Sequence, residues 1–251
     1  MPAFIEDSSI YEHTSYIYIY IYIIYNPSGH SYKKTDSQKA ISAFRESISL
    51  LCDAGRLTPA ARLSKEVAEL FETQEDGNEE SVQLAIDSYQ QAAELYDMEQ
   101  QKSQSNQCLA KVAELSSAAK DPPDLIRASQ IYESLGKTCL DSNLLKYNAK
   151  GYFLQCVFCH LANQDGVAAE QSLQRFSSLD YTFRDSREGK FVGELVAAVE
   201  GHDSEGFATA CFEFDRISKL DPWKTSMLLM VRRAIDGGIG GDGDEDDIDL
   251  T

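Results

Sequence analysis

Positive charge is scarce in this sequence: 23 lysines and arginines stand against 41 aspartates and glutamates, a formal net charge of −18. So acidic a chain is repelled on average by nucleic acid and by anionic lipid, and no nucleic-acid partner is expected. Any contact with an anionic partner has to use a local basic patch. Long apolar runs are missing as well. The longest strongly apolar stretch near the start, Tyr16–Tyr25, is half of the about 20 residues a membrane-spanning helix needs. The first residues include Glu6 and Asp7 and no basic cluster, so no signal peptide is expected. Catalytic signatures are absent too. There is no G-x-S-x-G, no Walker loop and no H-E-x-x-H, and His13, His30, His160 and His202 are scattered. Catalysis has no foothold here, so the chain is expected to be no enzyme and to need no cofactor or metal.

The sequence does have six cysteines: Cys52, Cys108, Cys139, Cys156, Cys159 and Cys211. Without an export signal they read as free, mostly buried thiols in a reducing compartment. Cys156-Val157-Phe158-Cys159-His160 has the C-x-x-C-H spacing of haem attachment and half the spacing of a zinc site. It lies inside the continuous apolar run Tyr152–Leu161, and no second C-x-x-C exists. Buried structural cysteines are therefore the expectation.

Residues 1–36 stand apart. Tyr16 to Tyr22 alternates tyrosine and isoleucine strictly, a pattern suited to a strand but with no partner strand on offer. It is also what a translated TA dinucleotide repeat encodes. The segment is expected to be disordered and low in complexity. From residue 37 to 179 the pattern turns helical. Ala40, Ile41, Phe44, Ile48 and Leu51 follow a 3.6-residue period, Gly55 marks a helix end, and Thr58-Pro59 reads as an N-cap and first helical position. An alanine followed four residues later by an aromatic recurs at Ala40, Ala85 and Ala128, periods of 45 and 43 residues. Units of roughly 34 to 47 residues, each a helix pair with small residues at the crossing, describe a tetratricopeptide-like α-solenoid. Residues 180–235 read as a C-terminal helical bundle. Residues 236–251 hold five glycines and seven acids and are expected to be a disordered acidic tail. Gly237–Gly241 within it is read as a linker, since the acids that follow would repel phosphate. A solenoid also needs a cap, so the first helix, lacking an outer neighbour, is expected to expose apolar surface.

The few basic residues fall at Arg56, Arg62 and Lys65 on or beside the second helix, Lys111 on the fourth, and Lys146 and Lys150 four apart. In a solenoid, equivalent helices line one concave face, where these residues would form a positive stripe. Ordinary solvated charge is the alternative.

Residues 139–153, Asp185-Ser186-Arg187-Glu188, the run Ile217 to Trp223 and the penultimate Leu250 in its acidic tail resemble the soluble NSF attachment proteins, the SNAP adaptors, over about Gln38 to Thr251. The likeness is greatest to the family's gamma form. The resemblance implies an adaptor that wraps the SNARE four-helix bundle and recruits and stimulates the hexameric ATPase NSF in vesicle-mediated transport. By position it implies SNARE-binding roles for Arg56, Arg62, Lys111, Leu144 and Lys150, and NSF-binding roles for Glu200 and Leu250. A family lysine falls on Gln107, and Ala197 and Gly201 depart from the family's acidic pattern. It also implies a cytoplasmic protein, peripheral on the cytosolic face of membranes. That association is expected to be weakened, because residues 1–36 do not match the family's membrane-dipping loop. A generic tetratricopeptide-like scaffold holding another protein or peptide in its groove is the rival reading.

Overall fold

In the computed structural model the structure describes residues 37–73, 79–143 and 145–237. These form ten α-helices: α1 Ser37–Asp53, α2 Leu57–Glu72, α3 Glu79–Met98, α4 Lys102–Ala118, α5 Leu125–Leu140, α6 Ala149–Ala162, α7 Gly166–Leu179, α8 Arg187–Glu200, α9 Ser204–Ile217 and α10 Pro222–Gly237, with a 3₁₀ turn at Lys146–Asn148 before α6. No strand occurs among the described residues. The Tyr-Ile alternation and most of the acidic tail lie outside them. α10 takes in Asp236 and Gly237, two residues expected in the tail.

Four helix pairs are closed by the same three-residue turn. Gly55, Gln100, Gln164 and His202 sit in the left-handed region, with φ of 68°, 57°, 58° and 50°. The next residue, Arg56, Gln101, Asp165 or Asp203, donates its N–H back to the carbonyl of Leu51, Tyr96, His160 or Ala198 at 2.8–3.0 Å. That same residue then caps the following helix. Each turn therefore satisfies the last carbonyls of one helix and starts the next with no spare residue. At Asp165 and Asp203 the carboxylate completes the cap, accepting from Ala168 and Gly206 N–H at 2.8 Å. This geometry corrects the expected start of α2. The turn fixes Arg56 as N-cap, so Thr58 lies inside the first helical turn, and Pro59 follows there without losing a bond. The Thr58 hydroxyl instead accepts from Gln101 Nε2 at 2.8 Å and donates to Glu99 Oε2 at 3.4 Å, linking two turns.

The helices cluster in two compact units, one ending at Pro122 and the other beginning at Pro123. In the first, α1 packs on α2, α2 on α3 and α3 on α4, the successive stacking of a solenoid. The alanine–aromatic pairs explain the fit: Ala40 and Phe44, and Ala85 and Tyr89, are all 0–1% exposed. An alanine lets the neighbouring helix approach, and the ring one turn later fills the gap. α1 does not expose the apolar surface expected of it. Ala40, Ile41, Phe44, Ile48 and Leu51 are buried, and its outward positions are the polar Gln38, Lys39, Ser42, Arg45, Glu46 and Ser49. Its own sequence thus presents a water-compatible face. Arg45 also lies over the Phe71 ring at 5.5 Å.

In the second unit α6 is the hub, packed by α5, α7, α8 and α10. It is apolar nearly all round, which only a fully surrounded helix tolerates. Its Phe153 stacks on Phe176 at 4.2 Å, and its Phe158 on Trp223 at 6.4 Å. Cys156 and Cys159 are 0% exposed in this layer, so burial pushes their thiols up, Cys156 to about 12. They are core residues, as expected of them. α7 and α8 pack together across the expected 179/180 boundary. No helix of the described residues is long and apolar enough to cross a membrane.

Candidate functional site

The first unit carries Arg56, Arg62 and Lys111. Arg56 caps α2 and Arg62 lies one and a half turns into it, both exposed. α2 orders its charges against its own dipole. Arg56, Arg62 and Lys65 fall toward the N-terminus, Glu66, Glu69 and Glu72 toward the C-terminus, and neither terminal turn holds a favourable charge. Helices gain stability from the opposite arrangement, so folding of α2 does not account for these cations. Lys111 of α4 is different. Its ammonium lies 3.7 Å from Glu72 Oε1 and 3.2 Å from Glu114 Oε1, and much of its charge is answered within the fold. Arg62 enters no ion pair among the described residues.

In the second unit Lys146 and Lys150 share the approach to α6. Lys146 is exposed in the 3₁₀ turn, with its ammonium 5.4 Å from the centre of the Tyr147 ring, which is 74% exposed. Lys150 lines a shallow depression with Tyr147, Tyr152 and Glu188. Leu144 lies outside the described residues, as does Leu250. The exposed Tyr147 was not singled out in the sequence; its place between two lysines of the Lys146–Lys150 pair was the available signal.

Glu200 is the exposed last residue of α8, beside the tight turn into α9. The groove between those helices is lined by four further acids, Glu194, Asp203, Glu205 and Glu213. Sequence reasoning found only Glu200. The others come from two helices and the turn that joins them, and become neighbours only through the turn at His202, so linear spacing hid them. The departures at Ala197 and Gly201 therefore leave a dense negative patch in place. Among the described residues no three His, Cys, Asp or Glu side chains are grouped to hold a metal.

The arrangement offers exposed cations on each unit and an acidic groove on the second. The family pattern described as "Soluble NSF attachment protein, SNAP" matches residues 24–236, starting within the segment expected to be unlike it. The chain is 39% identical over 211 residues to the alpha-soluble NSF attachment protein of Vitis vinifera, covering 84% of this chain and 70% of that protein. It is 38% identical over 217 residues to the beta-soluble NSF attachment protein of Bos taurus, covering 86% and 70%. It is 35% identical over 205 residues to a vesicular-fusion protein, SEC17, of Coprinopsis cinerea, covering 82% and 68%. None of these three carries the gamma name, so the expected likeness to that form has no support among them.

Proposed function

This chain belongs to the soluble NSF attachment protein family, and on that footing we propose that it is a non-enzymatic adaptor, which binds SNARE complexes and recruits and stimulates the NSF ATPase in vesicle fusion. The observation that carries this reading is the family match across residues 24–236. The substrate is the acidic four-helix SNARE bundle. Arg56, Arg62 and Lys150 supply attraction and register to it, Leu144 an apolar contact, and Lys111 a smaller share because Glu72 and Glu114 already face it. Complementary charge of this kind mainly sets encounter rate and orientation. Glu200, with the acids of the α8–α9 groove, meets basic surfaces of the NSF hexamer, and Leu250 stimulates its ATPase. The protein works in the cytoplasm, peripheral on the cytosolic face of membranes, with a hold on lipid weaker than that of relatives with the membrane-dipping loop.

The test is a pull-down of NSF by this chain with and without a SNARE bundle. Capture of NSF that grows when the bundle is present, and weakens as salt shortens the screening length, is the expected result. No NSF capture under either condition overturns the proposal.

A further inference from the structure

An apolar groove runs between α9 and α10, on the second unit. Phe207, Phe212 and Cys211 form one wall, Leu228 and Leu229 the other, and Arg232 lies at its edge. Phe212 is 69% exposed, a large ring standing in water beside a groove it half covers. The Nε of Arg232 is buried with no hydrogen-bond partner. Its ion-pair partner, Asp236, holds Oδ2 3.6 Å away, which answers part of the charge but is too far for a hydrogen bond, while the other oxygen of that carboxylate accepts from Ser204 at 2.7 Å. A buried guanidinium nitrogen without an acceptor costs free energy that a carboxylate would recover. Asp215 also lines the groove, but its charge is answered by Lys219 Nζ at 2.6 Å and by the Leu220 N–H at 2.8 Å. The groove therefore asks for aliphatic side chains next to an acid.

The chain supplies that chemistry. Beyond Gly237, where α10 ends, it continues to Asp247-Ile248-Asp249-Leu250-Thr251. In an extended strand Ile248 and Leu250 point to one side and Asp249 to the other. We propose that residues 247–250 dock in cis into the α9–α10 groove, with Ile248 and Leu250 on its apolar walls and an acid of the segment on Arg232. The reach suffices. Residues 238–247 can span about 33 Å when extended, while Thr225, at the groove's far end, is about 18 Å back along α10 from Gly237. Gly238, Gly240, Gly241 and Gly243 let the chain reverse. Docking withdraws Leu250 from other partners. The consequence for the ATPase rests on the adaptor reading, but the contact itself does not.

The test uses the full chain with isoleucine δ1-methyl labels, the Ile248 resonance being assigned from Ile248→Val. The expected result is an Ile248 methyl shifted upfield by the Phe207 and Phe212 rings. It returns to the position found in a free peptide of residues 243–251 in either Phe212→Ala or Arg232→Gln. The exposed position of Phe212 makes its removal safe for the core, and the remaining isoleucine methyls report whether either variant has lost its fold. An Ile248 methyl that coincides with the free peptide in the unmodified chain overturns the proposal. So does a shift that fades on dilution, which would assign the docked tail to a second copy. No step of this experiment involves NSF, so its failure leaves the adaptor reading untouched.

Discussion

Gly136 of α5 lies against the edge of the Phe153 ring of α6 so closely that a β-carbon on the glycine would overlap ring carbons. Phe153 cannot give way, because Phe176 stacks on it at 4.2 Å and Phe183 meets it edge-on at 5.6 Å. Gly136→Ala should therefore destabilise by about 1–3 kcal/mol, despite alanine's better helix propensity. Gly151 of α6, with nothing near its missing β-carbon, is the control. Gly151→Ala should stabilise by about 0.5–1 kcal/mol. Thermal unfolding of the two variants side by side checks the pair, and a stabilised Gly136→Ala would contradict the packing described.

The tight turns make a prediction of opposite sign. Gln100 and Gln164 hold φ of 57° and 58°, a conformation that costs a side-chain-bearing residue about 1–2 kcal/mol. Glycine gives back part of that through its freer unfolded chain. Gln100→Gly and Gln164→Gly should each raise stability by roughly 0.5 kcal/mol. A urea midpoint that falls in both would show that these side chains make compensating contacts.

Charge reversal separates free from answered cations. Arg62→Glu and Lys150→Glu should each weaken capture of a SNARE bundle by about tenfold, some 1.4 kcal/mol. Lys111→Glu should cost less binding while lowering stability, since it faces Glu72 and Glu114. Equilibrium binding at two salt concentrations, with circular dichroism to verify folding, measures this. Equal losses in all three variants would remove the distinction.

Glu133 gives a pH test. Burial alone would raise its carboxyl, but hydrogen bonds from Lys137 and Arg175, both at 2.7 Å, hold it below the usual carboxylate range. A depressed folded value contributes stability that is present above the unfolded pKa and is lost as pH falls through the folded one. Glu133→Gln should therefore be less stable than the parent at neutral pH, by roughly 0.5 kcal/mol for a partly exposed network. The gap should close as the solution is acidified through the carboxylate range. A gap constant with pH would mean the loss is one of packing.

Much of the fold was legible because helical periodicity and the alanine–aromatic spacing are local. Ala40/Phe44, Ala85/Tyr89 and Ala128/Tyr132 announced themselves, and each member is buried at 0–1% exposure. The same spacing at Ala149/Phe153 and Ala210/Phe214 was equally readable but lies off the 43-to-45-residue count. The turns were half legible. Gly55 was recognisable as a helix end, whereas Gln100, Gln164 and His202 adopt the same conformation without glycine's signature. Even after Gly55 the helix start was hidden, because Thr58-Pro59 carries its own N-cap signature while the turn places the cap at Arg56. At the surface, single charges such as Arg62 and Glu200 could be named, but the acidic groove depends on two helices meeting, and the apolar groove at Phe212 depends on which ring the fold leaves uncovered. Those are tertiary outcomes that spacing along a chain does not carry.

The three-residue hairpin turns leave no slack, and that governs where this chain can change length. One residue inserted at Gly55, Gln100, Gln164 or His202 would rotate the following helix by about 100° about its axis, turning its apolar stripe toward water. The stretch from Asp141 to Asn148, between α5 and α6, has room to absorb such an insertion. Natural or engineered fusions should accordingly survive there, and a peptide tag placed in any of the four tight turns should leave its helix pair unable to close.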